Sequence, residues 1–132
     1  MTREISDAIV RCELTHLARA PIDLGLARTQ HTAYEQALEG LGCAVHRLPT
    51  SGDLPDSVFI EDVAIVLDDV ALVTRPGAIS RRAEIPDVEA ALSVHRPIVR
   101  MIAPGTLDGG DVLVVGRSVF VGQFIPVVSG GD

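Results

Sequence analysis

The sequence has no lysine and no tryptophan, and only 3% of its residues are aromatic. Missing lysine excludes little, because every basic residue is an arginine and either side chain can serve a solvent-facing position. Scarce aromatics exclude more. The core must be built from Val, Leu, Ile and Ala, which favours a sheet packed by helices over an aromatic-rich sandwich. Cysteine is limited to Cys12 and Cys43. Two cysteines do not make a disulfide framework, so a reducing cytoplasm is the expected compartment. Positive charge is also short, with 11 Lys+Arg against 18 Asp+Glu and a net charge of −7. A nucleic-acid partner would need a basic face, so that class is set aside. An acidic surface suits a cationic substrate, although it more often serves solubility alone. Long apolar runs are missing too. The longest, Val58 to Val73, is broken by Glu61, Asp62, Asp68 and Asp69 and cannot cross a membrane. The polar opening, residues 1–7, is followed by no apolar segment of signal-peptide type.

What remains is an α/β pattern in one domain, residues 1–132. Ala8–Arg11 reads as a first strand. Leu24, Ala27, His31, Tyr34, Leu38 and Leu41 fall on one helical stripe, with Asp23 as the N-cap and Gly42 as the stop. Cys43–Leu48 alternates as a half-buried strand, which would bury Cys43. Val63–Leu67 and Val70–Thr74 flank Asp68-Asp69 as a hairpin. Residues 82–95 form a second helix with Ala83, Val88, Ala91 and Leu92 inward, and Pro97–Ile102 a further strand. Val112–Val115 and Ser118–Val121 make a second hairpin around Gly116-Arg117.

The two hairpins align with each other. Asp62 precedes the first and Asp111 the second, 49 residues apart, with a helix and a strand between. The repeating unit is therefore hairpin, helix, strand, and a period near 50 points to a radial or stacked repeat architecture. Composition alone could make two valine-rich hairpins look alike, but it does not explain an acid at the same place before each. An axial arrangement would gather Asp62, Asp108 and Asp111 at one mouth. Clustered carboxylates are costly unless a cation neutralises them, and a guanidinium or a metal would serve. Metal is the weaker option. His16, His31, His46 and His95 have no ligand spacing with these acids and read as ordinary surface or core residues.

Three segments carry a resemblance: Asp56-Ser-Val-Phe-Ile-Glu-Asp62, Thr74-Arg-Pro-Gly-Ala-Ile-Ser-Arg-Arg82, and Ala103-Pro-Gly-Thr-Leu-Asp-Gly-Gly-Asp111. In this order and spacing they resemble the dimethylargininases, part of the guanidine-modifying superfamily with arginine deiminases and amidinotransferases. The match runs from about Ala8 to Gln123 and includes Arg11-Cys-Glu-Leu-Thr-His16. The resemblance implies a pentein fold, a five-bladed α/β propeller of ββαβ modules. This chain would hold the amino-terminal half, about two and a half modules.

The resemblance also implies chemistry. A cysteine thiolate attacks the guanidine carbon, an amine leaves, and water then releases citrulline, with a His moving protons. Asp62 and Asp108 correspond to the acids that grip the guanidinium, and Asp108 would also orient that His. Asp56 corresponds to a contact with the substrate's amino-acid end, and Arg81 to an arginine that binds its α-carboxylate. Glu61, Gly109, Gly110 and Asp111 would shape the site. Without the motif, Asp56 would read as a turn former after Pro55 and Arg81 as a surface arginine. No cofactor is implied. The partner expected is methylarginine or a similar small molecule, with no nucleic acid and no membrane, and open module faces imply a homo-oligomer. After Gln123 the sequence departs from the family as a divergent tail, residues 124–132, and no counterpart of the nucleophile or its His is found. The resulting expectation is a dimethylargininase-like hydrolase represented by its substrate-binding half. Arginine deiminase-like activity and a non-catalytic guanidino-binding or assembly protein are the alternatives.

Overall fold

The structure is a computed structural model and describes residues 1–14, 18–50 and 52–122. Three small sheets carry the fold. Strand β1 (Thr2–Arg3) pairs in parallel with β2 (Arg47–Leu48), and helix α1 (Leu24–Gly40) connects them. A three-stranded sheet has the order β3 (Ala64–Val66), β4 (Ala71–Val73), β5 (Ile98–Arg100). Its first pair is antiparallel and its second parallel, the crossover being helix α2 (Ile85–Ser93). Strands β6 (Val112–Val115) and β7 (Ser118–Val121) form a separate hairpin. The β3–β4–α2–β5 segment is thus one complete hairpin–helix–strand unit, and β6–β7 repeats its first half. A 3-10 turn stands before each hairpin, Ile60–Asp62 and Gly109–Asp111, so the two aligned aspartates end equivalent turns.

The main core lies where α2 covers β4. Val63, Ala71, Val88, Leu92 and Leu48 are buried together there. Burial of aliphatic side chains at roughly 25 cal/mol per Å² is what holds this unit closed. A second cluster joins Ile5, Ile9 and Cys12.

Helix α1 has the ends expected. Asp23 accepts a hydrogen bond from the Leu26 amide at 2.9 Å, and Gly42 follows the helix with φ +86°. Its inward stripe is less apolar than expected, since Tyr34 and Leu41 are exposed. The residue it buries is Glu35, which accepts from Thr2 Oγ1 at 2.6 Å and from Arg47 Nε at 2.9 Å. The hydrogen bond from Arg47, aided by that from Thr2, holds the Glu35 carboxyl below its usual range.

Five expectations are corrected. Residues 8–11 are not a strand but part of a 3-10 helix, Asp7–Arg11. Ser6 starts it by accepting from the Ala8 amide at 3.1 Å, and a side chain that satisfies a turn amide competes with ladder pairing. The first strand falls instead at Thr2–Arg3. Because that strand offers only two residues, just Arg47–Leu48 of the Cys43–Leu48 run finds a partner. Cys43 is consequently exposed, and Cys12 is the buried thiol. Residues 82–84 belong to a 3-10 turn, Ile79–Glu84, with α2 starting at Ile85. The tighter turn rotates Ala83 outward to solvent.

The β6–β7 hairpin exposes apolar side chains throughout, including Leu113, Val115, Phe120 and Val121. No helix covers it among the described residues, unlike β3–β4. Exposed apolar strands with open edges are sites of association. We therefore expect the chain to self-associate at micromolar concentration. Multi-angle light scattering showing a folded monomer across that range would refute this.

Candidate functional site

The three motif segments meet around Asp62. Thr74 Oγ1 donates to the Asp62 carbonyl at 2.8 Å, and the Thr74 amide donates to the Val63 carbonyl at 3.0 Å, which fastens the second segment to the first. The Leu107 amide donates to the Arg75 carbonyl at 2.9 Å and the Gly77 amide to Asp108 Oδ2 at 3.2 Å, which fastens the third to the second. The Gly110 amide donates to Asp62 Oδ1 at 2.9 Å and closes the circuit. Glycine is required at this closure. A Cβ on Gly109 would stand 2.0 Å from the Glu61 carbonyl oxygen, and one on Gly110 2.8 Å from Asp62 Oδ1.

Arg81 enters the cluster from the side. Only 8% exposed, it is a buried residue rather than a surface arginine. Its Nη1 donates to Asp62 Oδ2 at 2.6 Å. Its Nε and Nη2 donate to Glu84 Oε1 and Oε2 at 3.1 and 2.9 Å, a two-pronged pair. Nη2 also faces the carbonyls of Asp56 and Phe59, each at 3.2 Å. Burial alone would lower the guanidinium pKa, but the hydrogen bonds to Glu84 and Asp62 outweigh it and hold Arg81 above its ordinary value. Burial pushes the Glu84 carboxyl upward, and Arg81 opposes that. Arg81 is accordingly the cation that neutralises part of the acidic cluster.

Asp62 still has capacity. Each of its oxygens accepts one hydrogen bond, and a carboxylate oxygen can accept two. Asp56 is buried and accepts the Glu13 amide on both oxygens at 3.1 Å, while Glu13 Oε1 accepts from Ser80 Oγ at 2.8 Å. Asp111 is exposed, and its carbonyl accepts from the Gly122 amide at 2.8 Å. Asp68, in the first hairpin's turn, is exposed and no part of this circuit. Sequence reasoning missed Glu84, Glu13 and Ser80. For Glu84 the signal was present, as it lies three residues after Arg81 at the spacing of neighbours on one helical face.

Among the described residues no group of three His, Cys, Asp or Glu is arranged to hold a metal ion. His31 lies 3.7 Å from Glu35 on α1, His46 and His95 are exposed, and His16 falls outside the described residues. No described helix is long and apolar enough to cross a membrane.

The fold matches solved dimethylargininase structures and is of the pentein α/β type. Within that class the sequence narrows the choice. The chain is 44% identical over 124 residues to N(G),N(G)-dimethylarginine dimethylaminohydrolase of Streptomyces coelicolor, covering 93% of itself and 48% of that protein. It is 37% identical over 111 residues to the enzyme of the same name from Pseudomonas aeruginosa, covering 83% of itself and 43% of that protein. A solved structure of the Pseudomonas aeruginosa enzyme, a cysteine-to-serine variant complexed with citrulline, superposes with a TM-score of 0.87 at 35% identity, over 92% of this chain and 48% of that one. No model of a known protein family matches the chain. By sequence and fold together the chain is similar to the dimethylargininases, and it spans about half the length of the curated relatives it matches.

Proposed function

We propose that this chain supplies the guanidinium-gripping part of a dimethylargininase-type hydrolase, which converts methylated arginine to citrulline and an amine. One observation carries the reading. Asp62 is held rigidly between Gly110 and Arg81 and keeps an acceptor position on each oxygen, the geometry that suits a planar guanidinium fork. In this proposal Asp108 is the second acid on the guanidinium and orients the catalytic His of a complete enzyme. Asp56 meets the substrate's amino-acid end. Arg81 keeps one Nη1 hydrogen for the α-carboxylate, its other donors being engaged. The β3–β4–α2–β5 unit is one blade of a partial propeller, and β6–β7 opens the next.

The relatives support this reading by their names and by the citrulline complex. Substitution at the acids tests it. Asp62→Asn and Asp108→Asn should each weaken binding of L-arginine by about 1.5–3 kcal/mol, the scale of a hydrogen bond to a charged group. Asp68→Asn should leave it unchanged. Titration calorimetry with equal effects at all three positions would remove the assignment.

A further inference from the structure

Asp62 cannot attract a cation at full strength while Arg81 sits on it. The Arg81 guanidinium is bonded to Asp62 Oδ2 at 2.6 Å, so the two side chains alone are neutral as a pair. A guanidinium ligand approaching such a pair would meet a buried positive charge beside the carboxylate meant to receive it. Glu84 changes this balance. It lies behind Arg81, 2% exposed, and takes Nε and Nη2 on its two oxygens. With Glu84 the bonded chain Glu84–Arg81–Asp62 carries one net negative charge.

The surroundings agree. Arg3 is wholly buried, its three guanidinium nitrogens have no hydrogen-bond partner among the described residues, and among those residues its nearest carboxylate is Asp87 at 3.7 Å. Its field also reaches Glu84. Burial pushes the Glu84 carboxyl up, and the charges of Arg81 and Arg3 oppose that.

Building on the guanidino-binding reading above, we infer that Glu84 is a positioning residue that sets the charge of the site. It holds Arg81 in place and cancels its charge, so that Asp62 acts as an anion toward the ligand. Glu84 does not touch the ligand in this account.

The test separates charge from structure by using two ligands of nearly one shape. L-arginine ends in a cationic guanidinium and L-citrulline in a neutral ureido group, and both carry the same amino-acid end. The ratio of their affinities, measured by calorimetry on the full chain, reads the charge at Asp62. Glu84→Gln should weaken arginine about tenfold relative to citrulline, the scale of losing one nearby partly screened charge. A purely structural Glu84 would weaken both ligands alike, and that result overturns the inference while leaving the site reading intact. Glu84→Leu, which removes the charge and leaves no buried polar group, serves if the glutamine variant does not fold, with the same expected ratio. If neither variant folds, Glu84 supports the fold rather than the charge of the site, and the inference fails. A parent chain that binds neither ligand overturns the guanidino-binding reading, and this inference with it.

Discussion

Incubated with asymmetric dimethylarginine, these 132 residues expressed alone are expected to release no measurable citrulline. Positioned acids can orient a guanidinium, but a covalent route needs a thiolate at the guanidine carbon and a group to move protons. Acid/base assistance by itself is typically worth about 10²–10⁴-fold, and without a nucleophile there is no intermediate for it to act on. Neither thiol of the chain is placed for attack. Cys43 is exposed beyond the end of α1. Cys12 is 8% exposed and packs with Ile5 and Ile9, flanked by Ile22 and Val58. Its neighbour in sequence, Glu13, donates its amide to Asp56. Catalytic rescue would need Cys12 to leave its apolar cluster. Citrulline formed by the parent chain and abolished by Cys12→Ser would show that it does.

The second large effect is expected at a residue with no side chain. Gly109→Ala would place a methyl group 2.0 Å from the Glu61 carbonyl oxygen and near Asp62 Cα, 3.2 Å away. Both neighbours are backbone, so no rotamer change relieves the contact. The two 3-10 turns must separate, which breaks the 2.9 Å bond from Gly110 to Asp62. Overpacking costs roughly 1–3 kcal/mol and more where nothing can yield, so a loss of about 3 kcal/mol is expected in urea unfolding. Gly40→Ala is the control. A Cβ there meets nothing within 4 Å, and alanine is the better helix former, so that variant should be neutral or slightly stabilised. Equal stability of the two variants would mean that the turns are not in contact.

Much of this was legible in the sequence, and the reasons differ by element. Helix α1 was readable because its cap, its stripe and its stop all point the same way, from Asp23 to Gly42. The hairpins were readable because valine-rich runs flank short polar turns, with Gly116 at φ +58° in the second. The three motif segments carried the resemblance, and with it the expectation that Asp62 and Asp108 share a site. Local patterning failed where a distant partner decides the outcome. Nothing near Ala8–Arg11 says that Ser6 will cap a turn, or that β2 will have only two residues to pair with. Glu35 and Arg3 lie in segments that read as ordinary polar surface, yet both are buried, Glu35 by Thr2 and Arg47 and Arg3 beside Asp87. The spacing of Arg81 and Glu84 suggests their pairing, but their burial was not legible, because two ionised side chains within three residues usually mark a solvated face.

The contact between Gly110 and Asp62 also bears on how such a chain tolerates change in length. It joins residues 48 apart. The entropy of closing a flexible loop grows only with the logarithm of its length, so doubling such a span adds roughly 0.6 kcal/mol. Residues gained or lost in the connection between β5 and the second turn would hardly alter the cost of bringing the two turns together. A single methyl group at their point of contact would. The spacing of the two hairpins along the chain is therefore loosely constrained by chain entropy, whereas their docking depends on two adjacent glycines, and insertions between β5 and Leu107 should be far better tolerated than any substitution at Gly109.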